Sequence, residues 1–121
     1  MQQRVNFESY LAKAVLKLAD LRDESYEAIV LPAGAEVLSV NVEVLEAATA
    51  NTTLNVGLDA DERFFASDLD LGTRSVNHNS TKQTRIHLVS KVSVKASKVS
   101  TKGEIALRVF YFCPSQIMTE F

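Results

Sequence analysis

The chain has 121 residues, 46% of them hydrophobic and 23% charged, with a formal net charge of −2. These values describe one folded domain and give no overall pull toward nucleic acid or an anionic membrane. No apolar run approaches the ~20 residues that span a bilayer, and the lone cysteine, Cys113, excludes an internal disulfide framework and a cysteine-based zinc site.

The opening segment MQQRVNFESY lacks the apolar core of a signal peptide, so synthesis in the cytoplasm is expected. Met1 to Ser9 reads as an extended arm. The next stretch admits two readings. Leu11, Val15, Leu18 and Arg22 sit at helical spacing, and the Ala, Leu and Lys content suits a helix. Tyr10, Ala12, Ala14, Leu16 and Leu18 alternate as a strand does, and the downstream context favours a strand from about Ala12 to Asp20. Asp23 and Glu24 mark a turn before the apolar run Ala28 to Leu31.

Pro32-Ala33-Gly34 opens the clearest element of the chain. Leu38, Val40, Val42 and Val44 fall on one parity, while Ser39, Asn41 and Glu43 fall on the other. Such alternation puts the first set on the buried face of a strand. Ala47 to Asn51 interrupts the pattern, and Leu54, Val56 and Leu58 restart it. From Asp59 to Thr84 the sequence reads as a long polar connection, with Phe64 and Phe65 plugging one end of the core from a single helical turn. Arg85 to Ala96 alternates again, with Ile86, Leu88, Val92, Val94 and Ala96 on one face and Arg85, His87, Lys91, Ser93 and Lys95 on the other. Gly103, within the polar run Ser100 to Glu104, signals a hairpin. The last strand, Ile105 to Phe112, ends before Pro114, which cannot donate to a ladder.

Six to eight strands without a convincing helix predict an all-β, antiparallel two-sheet β-sandwich of jelly-roll-like form. Residues 1–27 form the arm and first strand, and residues 28–121 the sandwich, within one domain overall. The last strand is apolar on its outer face too, at Ala106, Phe110 and Phe112, and Ile117, Met118 and Phe121 follow it. A strand apolar on both faces is central in its domain or covered by another subunit, so Ala106, Phe110 and Phe112 are the expected subunit interface.

Nothing in the sequence points to catalysis. Asp59, Asp61, Glu62, Asp68 and Asp70 match no calcium-loop spacing, and His78 and His87 have no partner ligand at metal spacing. Serines lack a nucleophile elbow, and the four isolated glycines make no phosphate cradle. Arg85, Lys91 and Lys95 form a basic stripe without the aromatic residues that stack on bases. Cys113 reads as a small buried apolar side chain. We therefore expect no enzyme activity, no cofactor, no metal, no specific nucleic acid and no membrane partner. Charge is nonetheless uneven, with a local −4 over residues 59–70 and +7 over residues 74–108. That asymmetry suits copies meeting positive face to negative face, or else a solvated mixed surface.

The chain resembles small structural proteins of tailed bacteriophages over about residues 28–112. The resemblance is carried by Leu31-Pro32-Ala33-Gly34-Ala35, the alternating strand through Val44, and Leu54-Asn55-Val56-Gly57. Asp59-Ala60-Asp61 with Arg63-Phe64, Lys102-Gly103 and Phe110-Tyr111-Phe112 complete it. Some members of that group are capsid cement or decoration proteins. The resemblance implies a virion protein on the outer capsid surface, a homotrimer clamping adjacent major capsid subunits. Arg4 and Phe7 in the arm, with Asp59, Asp61 and Asp68 in the acidic connection, would then touch the shell. The alternative is a tail- or fibre-associated module, or a carbohydrate-binding sandwich. The latter usually presents exposed Trp or Tyr, whereas this chain has no Trp and three dispersed Tyr.

Overall fold

Alternating apolar and polar side chains wind into two stacked sheets in a computed structural model that describes residues 7–21 and 24–114. The strands are β1 (Phe7–Lys17), β2 (Tyr26–Leu31), β3 (Glu36–Glu46), β4 (Thr53–Leu58), β5 (Asp61–Asp70), β6 (Asn77–Ser80), β7 (Thr84–Arg85), β8 (Ser90–Ala96) and β9 (Glu104–Pro114). A single 3-10 turn, Leu18–Asp20, follows β1. The first sheet has the order β1-β9-β3-β6, with the two-residue β7 also on β3, and the second has the order β2-β8-β4-β5. Every pairing is antiparallel. The pairs nest: β1 with β9, β2 with β8, β3 with β6, β4 with β5. This is the path of one long antiparallel ribbon rolled into a sandwich, a jelly roll.

The core lies between the sheets. Val37, Val40, Val42, Val44, Ile105, Leu107 and Val109 come from the first sheet, and Ile29, Leu31, Leu54, Val56, Phe65, Val92, Val94 and Ala96 from the second. Most are β-branched, the side chains that best fill a pleated, buried face. Leu18 and Leu21 close the end where β1 turns toward β2, and Ile86 closes the opposite end.

The stretch after residue 10 is a strand. Ala12, Ala14 and Leu16 pack against the core, while Leu11, Lys13 and Val15 are exposed. The strand begins earlier than Ala12 and stops at Lys17. Phe7, Glu8 and Ser9, expected in the arm, pair with Pro114, Cys113 and Phe112, because β9 offers a ladder that long. Met1 to Asn6, the rest of the expected arm, and its Arg4, lie outside the described residues.

Four further expectations change. A bulge between Val37 and Ser39 puts Val37 in the core and leaves Leu38 half-exposed. The polar stretch after Asp59 is a hairpin rather than a loop, for β5 pairs with β4, and β6 then joins β3. Both are edge strands with mostly polar side chains, so their backbone pairing leaves no apolar alternation to read. Phe65 is indeed buried, but from a strand and not a helical turn. Third, Arg85 to Ala96 is not one strand. β7 belongs to the first sheet and β8 to the second; Ile86 is buried at the crossing, and Leu88 is 78% exposed. Fourth, Ser100 to Glu104 is not a hairpin, since β8 and β9 lie in different sheets. Gly103 is needed there for another reason: its φ is +114°, and an added Cβ would stand 2.9 Å from Ala48 Cα.

Close backbone approach also fixes Gly57. Register runs from Leu58 opposite Asp61 to Val56 opposite Ala66, so extra β5 residues bulge back over β4. A Cβ at Gly57 would stand 2.3 Å from the Asp61 carbonyl oxygen and 2.6 Å from Glu62 Cα. Gly57→Ala is therefore expected to lower unfolding free energy by about 2–3 kcal/mol, as overpacking against backbone does, read as a lower urea midpoint at unchanged slope.

Candidate functional site: the outer sheet face and one end of the sandwich

The outer face of the first sheet is set by the registers of β9 with its two neighbours. Leu11, Phe110 and Ser39 form one row, Lys13, Arg108 and Asn41 the next, and Val15, Ala106 and Glu43 the third. Leu11 is 60% exposed, Val15 51% and Phe110 36%. Phe112 and the bulged Leu38 are half-exposed beside them, and the Phe110 and Phe112 rings meet edge to face at 5.6 Å. Apolar side chains thus cover the Leu11–Phe110 end of the β1–β9 side, with Val15 set apart from them by the Lys13–Arg108 row.

Of the expected interface residues, Phe110 and Phe112 present surface. Ala106 does not: its neighbours cover it completely. Leu11 and Val15 add to this apolar surface and were not singled out as interface residues. The signal existed, because they share the strand parity opposite to Ala12, Ala14 and Leu16.

The β3–β6 side of the same face is polar and knitted together. Arg108 donates from Nη1 to Asn41 Oδ1 at 3.0 Å and pairs through Nη2 with Glu43 Oε1 at 2.9 Å. Asn41 Nδ2 donates to Asn79 Oδ1 at 2.7 Å and to Asn77 Oδ1 at 3.2 Å. This network neutralises Arg108 opposite Lys13, where two like charges would otherwise face each other.

One end of the sandwich gathers the β2–β3, β4–β5 and β7–β8 connections with the first residues of β1 and the last of β9. Its loops are tied by backbone. Gly34 N–H donates to the Ile86 carbonyl at 2.7 Å, and Ile86 N–H to the Ala35 carbonyl at 2.8 Å. Asp59 N–H donates to the Lys91 carbonyl at 2.9 Å, and Lys91 N–H returns to Asp59 Oδ1 at 3.0 Å. Beside this end a groove of about 570 Å³ is lined by Glu36, Leu38, Thr84, Arg85 and Phe112 among others.

Four of the five expected shell contacts fall among the described residues, and these scatter over the frame. Phe7, Asp59 and Asp61 lie at this end, whereas Asp68 lies along β5 toward the other, near the Leu54–Leu69 pair. The acidic side chains also have local duties. Asp59 Oδ1 holds Lys91, Asp61 Oδ1 accepts from Arg63 N–H at 3.1 Å, and Asp70 Oδ1 accepts from Gly72 N–H at 2.9 Å. Among the described residues no group of three or more His, Cys, Asp or Glu could hold a metal ion.

The basic stripe does not form, because Arg85 sits in the first sheet. Lys91 pairs with Glu27 at 3.3 Å and Lys95 with Glu62 at 3.6 Å in the second. Uneven charge is thus partly settled inside the chain. His87 is exposed in the β7–β8 connection rather than on a strand, and His78 Nε2 lies 2.9 Å from the Asp70 carbonyl oxygen, bridging β6 and β5. Cys113 is only half-buried. The tyrosines are less dispersed than expected, for Tyr10 stacks on Tyr111 at 5.4 Å. Tyr10 Oη donates to Glu8 Oε2 at 3.0 Å, and that bond holds the phenol above its usual pKa.

No family model and no curated protein matches the chain. Solved structures do. A chain of the acidic stable capsid structure of Helicobacter pylori bacteriophage KHP30 is 26% identical, with a TM-score of 0.79, over 99% of this chain and 100% of that one. A chain of the cyanophage Pam1 capsid asymmetric unit is 20% identical, with a TM-score of 0.63, over 91% and 86%. A chain of the capsid of Ralstonia phage GP4 is 19% identical, with a TM-score of 0.67, over 90% and 86%. The two more distant likenesses establish a shared fold. The first, with its end-to-end coverage, supports a phage capsid-related structural protein.

The polar network gives the outer face a measurable energy. A double-mutant cycle on Arg108→Ala and Glu43→Ala is expected to yield a coupling of about 1 kcal/mol, because both side chains are more than two-thirds buried and well aligned. The coupling should shrink in molar salt.

Proposed function

We propose that the chain is a cement protein of a bacteriophage virion, binding the outer surface of the capsid and clamping adjacent major capsid subunits. The observation that carries this reading is the end-to-end likeness to a chain of a phage capsid structure, covering 99% of one and 100% of the other. The physical case agrees. A clamp needs a stiff body and surfaces for more than one partner, and no reacting group. It stabilises the shell by binding assembled subunits better than free ones.

Phe110 and Phe112, with Leu11 and Val15 beside them, form the contact between copies in a homotrimer. Ala106, in the row of Val15 and Glu43, adds no exposed area. Arg4, Phe7, Asp59, Asp61 and Asp68 are the shell contacts carried over from the sequence. A carbohydrate-binding role takes second place. The tyrosine pair it would draw on turns its ring faces on each other rather than toward a ligand. A tail position is the remaining alternative.

The test is direct. Purified chain added to shells lacking it should bind saturably and raise the temperature of DNA release by several degrees; an unchanged release temperature contradicts clamping. Phe110→Asp should keep the wild-type circular dichroism yet sediment as a monomer where wild type sediments as a trimer. An intact trimer in that variant contradicts the assigned contact.

A further inference from the structure

The first sheet is interrupted along one edge of β3. β7 pairs with β3 at Glu36 and Val37, β6 pairs with it from Val40 to Glu43, and Leu38 and Ser39 between them are left out of both pairings. The groove of about 570 Å³ lies at this break. Phe112 of β9 bounds it on one side and Gln83 and Thr84 on the other, with Leu38 of β3 between them. Leu38 and Phe112, both half-exposed, supply its apolar surface. Glu36 and Arg85 also line it and stand opposite each other in register, so their charges offset and apolar contact decides what fits.

β9 leaves the sheet beside this groove. Its pairing with β3 ends at Phe112 and Glu36, whereas its pairing with β1 continues to Pro114 and Phe7. The strand is therefore released on its β3 side first, the side on which the groove lies. Ser115 to Phe121 follow Pro114 in the sequence, outside the described residues, and Ile117, Met118 and Phe121 among them are apolar. At roughly 3.3 Å per residue, Ile117 and Met118 fall within about 13 Å of Pro114. The groove starts at Phe112 and spans about two strand spacings of ~4.8 Å, so the reach suffices.

We infer that the segment Ser115 to Phe121 folds back over β3 of its own chain and seats Ile117 and Met118 in the groove between Leu38 and Thr84. The inference stands apart from the cement reading. Two rivals fit less well. Residues 1–6 set out from Phe7 on β1, one strand farther from the groove, and only Met1 and Val5 among them are large and apolar. A second copy would compete with a segment whose short tether gives it an effective concentration of about a millimolar. Seated there, the segment covers apolar surface that the two-residue β7 leaves open, and it braces the pairing of β7 with β3.

The experiment is hydroxyl-radical footprinting read by peptide mass spectrometry. It compares the full chain, a chain ended after Pro114, and the full chain carrying Ile117→Asp with Met118→Asp. All three should share one circular dichroism spectrum, because the changes lie outside the described core. The expected result is that Leu38 and Phe112 react severalfold faster in both variants, while Leu88 and Val99, exposed on other connections, keep their rates. Unchanged rates at Leu38 and Phe112 overturn the inference. An equal rise at Leu11 and Phe110 overturns it too, assigning the segment to the contact between copies. An effect of truncation without an effect of the double substitution overturns the choice of Ile117 and Met118. Protection in the full chain that fades on dilution overturns seating within one chain and gives the groove to a second copy.

Discussion

β9 is the strand on which both the interior and the surface depend. It is paired along its length with β1 on one side and β3 on the other. Its inward parity supplies Ile105, Leu107 and Val109 to the core, and its outward parity supplies Arg108, Phe110 and Phe112 to the exposed face. The ladder therefore couples folding to surface presentation. A slip of one residue would bury Arg108 and Phe110 and expose the aliphatic set, so register is strongly specified. The same pairing explains why β1 reaches back to Phe7: the partner strand runs to Pro114, and an unpaired stretch of backbone beside it would forgo those bonds.

From that constraint follows a body with separate surfaces. The first sheet offers a flat apolar strip against a polar network centred on Arg108. The second sheet is dressed with ion pairs, Lys91 with Glu27 and Lys95 with Glu62. One end of the sandwich is closed by Leu18 and Leu21, while the other carries braced loops and two outstanding aliphatic side chains. Such polarity of surface suits a protein that meets different neighbours with different faces.

How far the sequence revealed this depends on whether a strand buries a face. β3, β4, β8 and β9 each send alternate side chains into the core, so Val40, Val42, Val44, Val92, Val94, Ile105 and Leu107 could be read by parity alone. β5 and β6 could not, because they are edge strands whose stability comes from backbone pairing. Where chain direction changes, parity misleads. The bulge at Val37 and Ser39 exchanges Leu38 for Val37, and the sheet crossing at Ile86 turns Leu88 outward. Which strands share a sheet is a non-local property, so Gly103 was legible as a turn but not as a crossing. On the surface, Phe110 and Phe112 were legible as apolar residues out of place. Ala106 was not separable from them, since it shares their outward parity and its complete burial leaves no mark in the pattern. Leu88 and Val89 were invisible as surface because their pattern matched a buried strand.

The central claim is that this chain is a regular component of a phage shell. Counting its copies per purified virion by quantitative peptide mass spectrometry tests that claim most directly. A shell-wide clamp should reach a number comparable to that of the major capsid subunit. A handful of copies would contradict shell-wide clamping and move the chain to the tail or neck, and complete absence from the particle would contradict a virion role altogether.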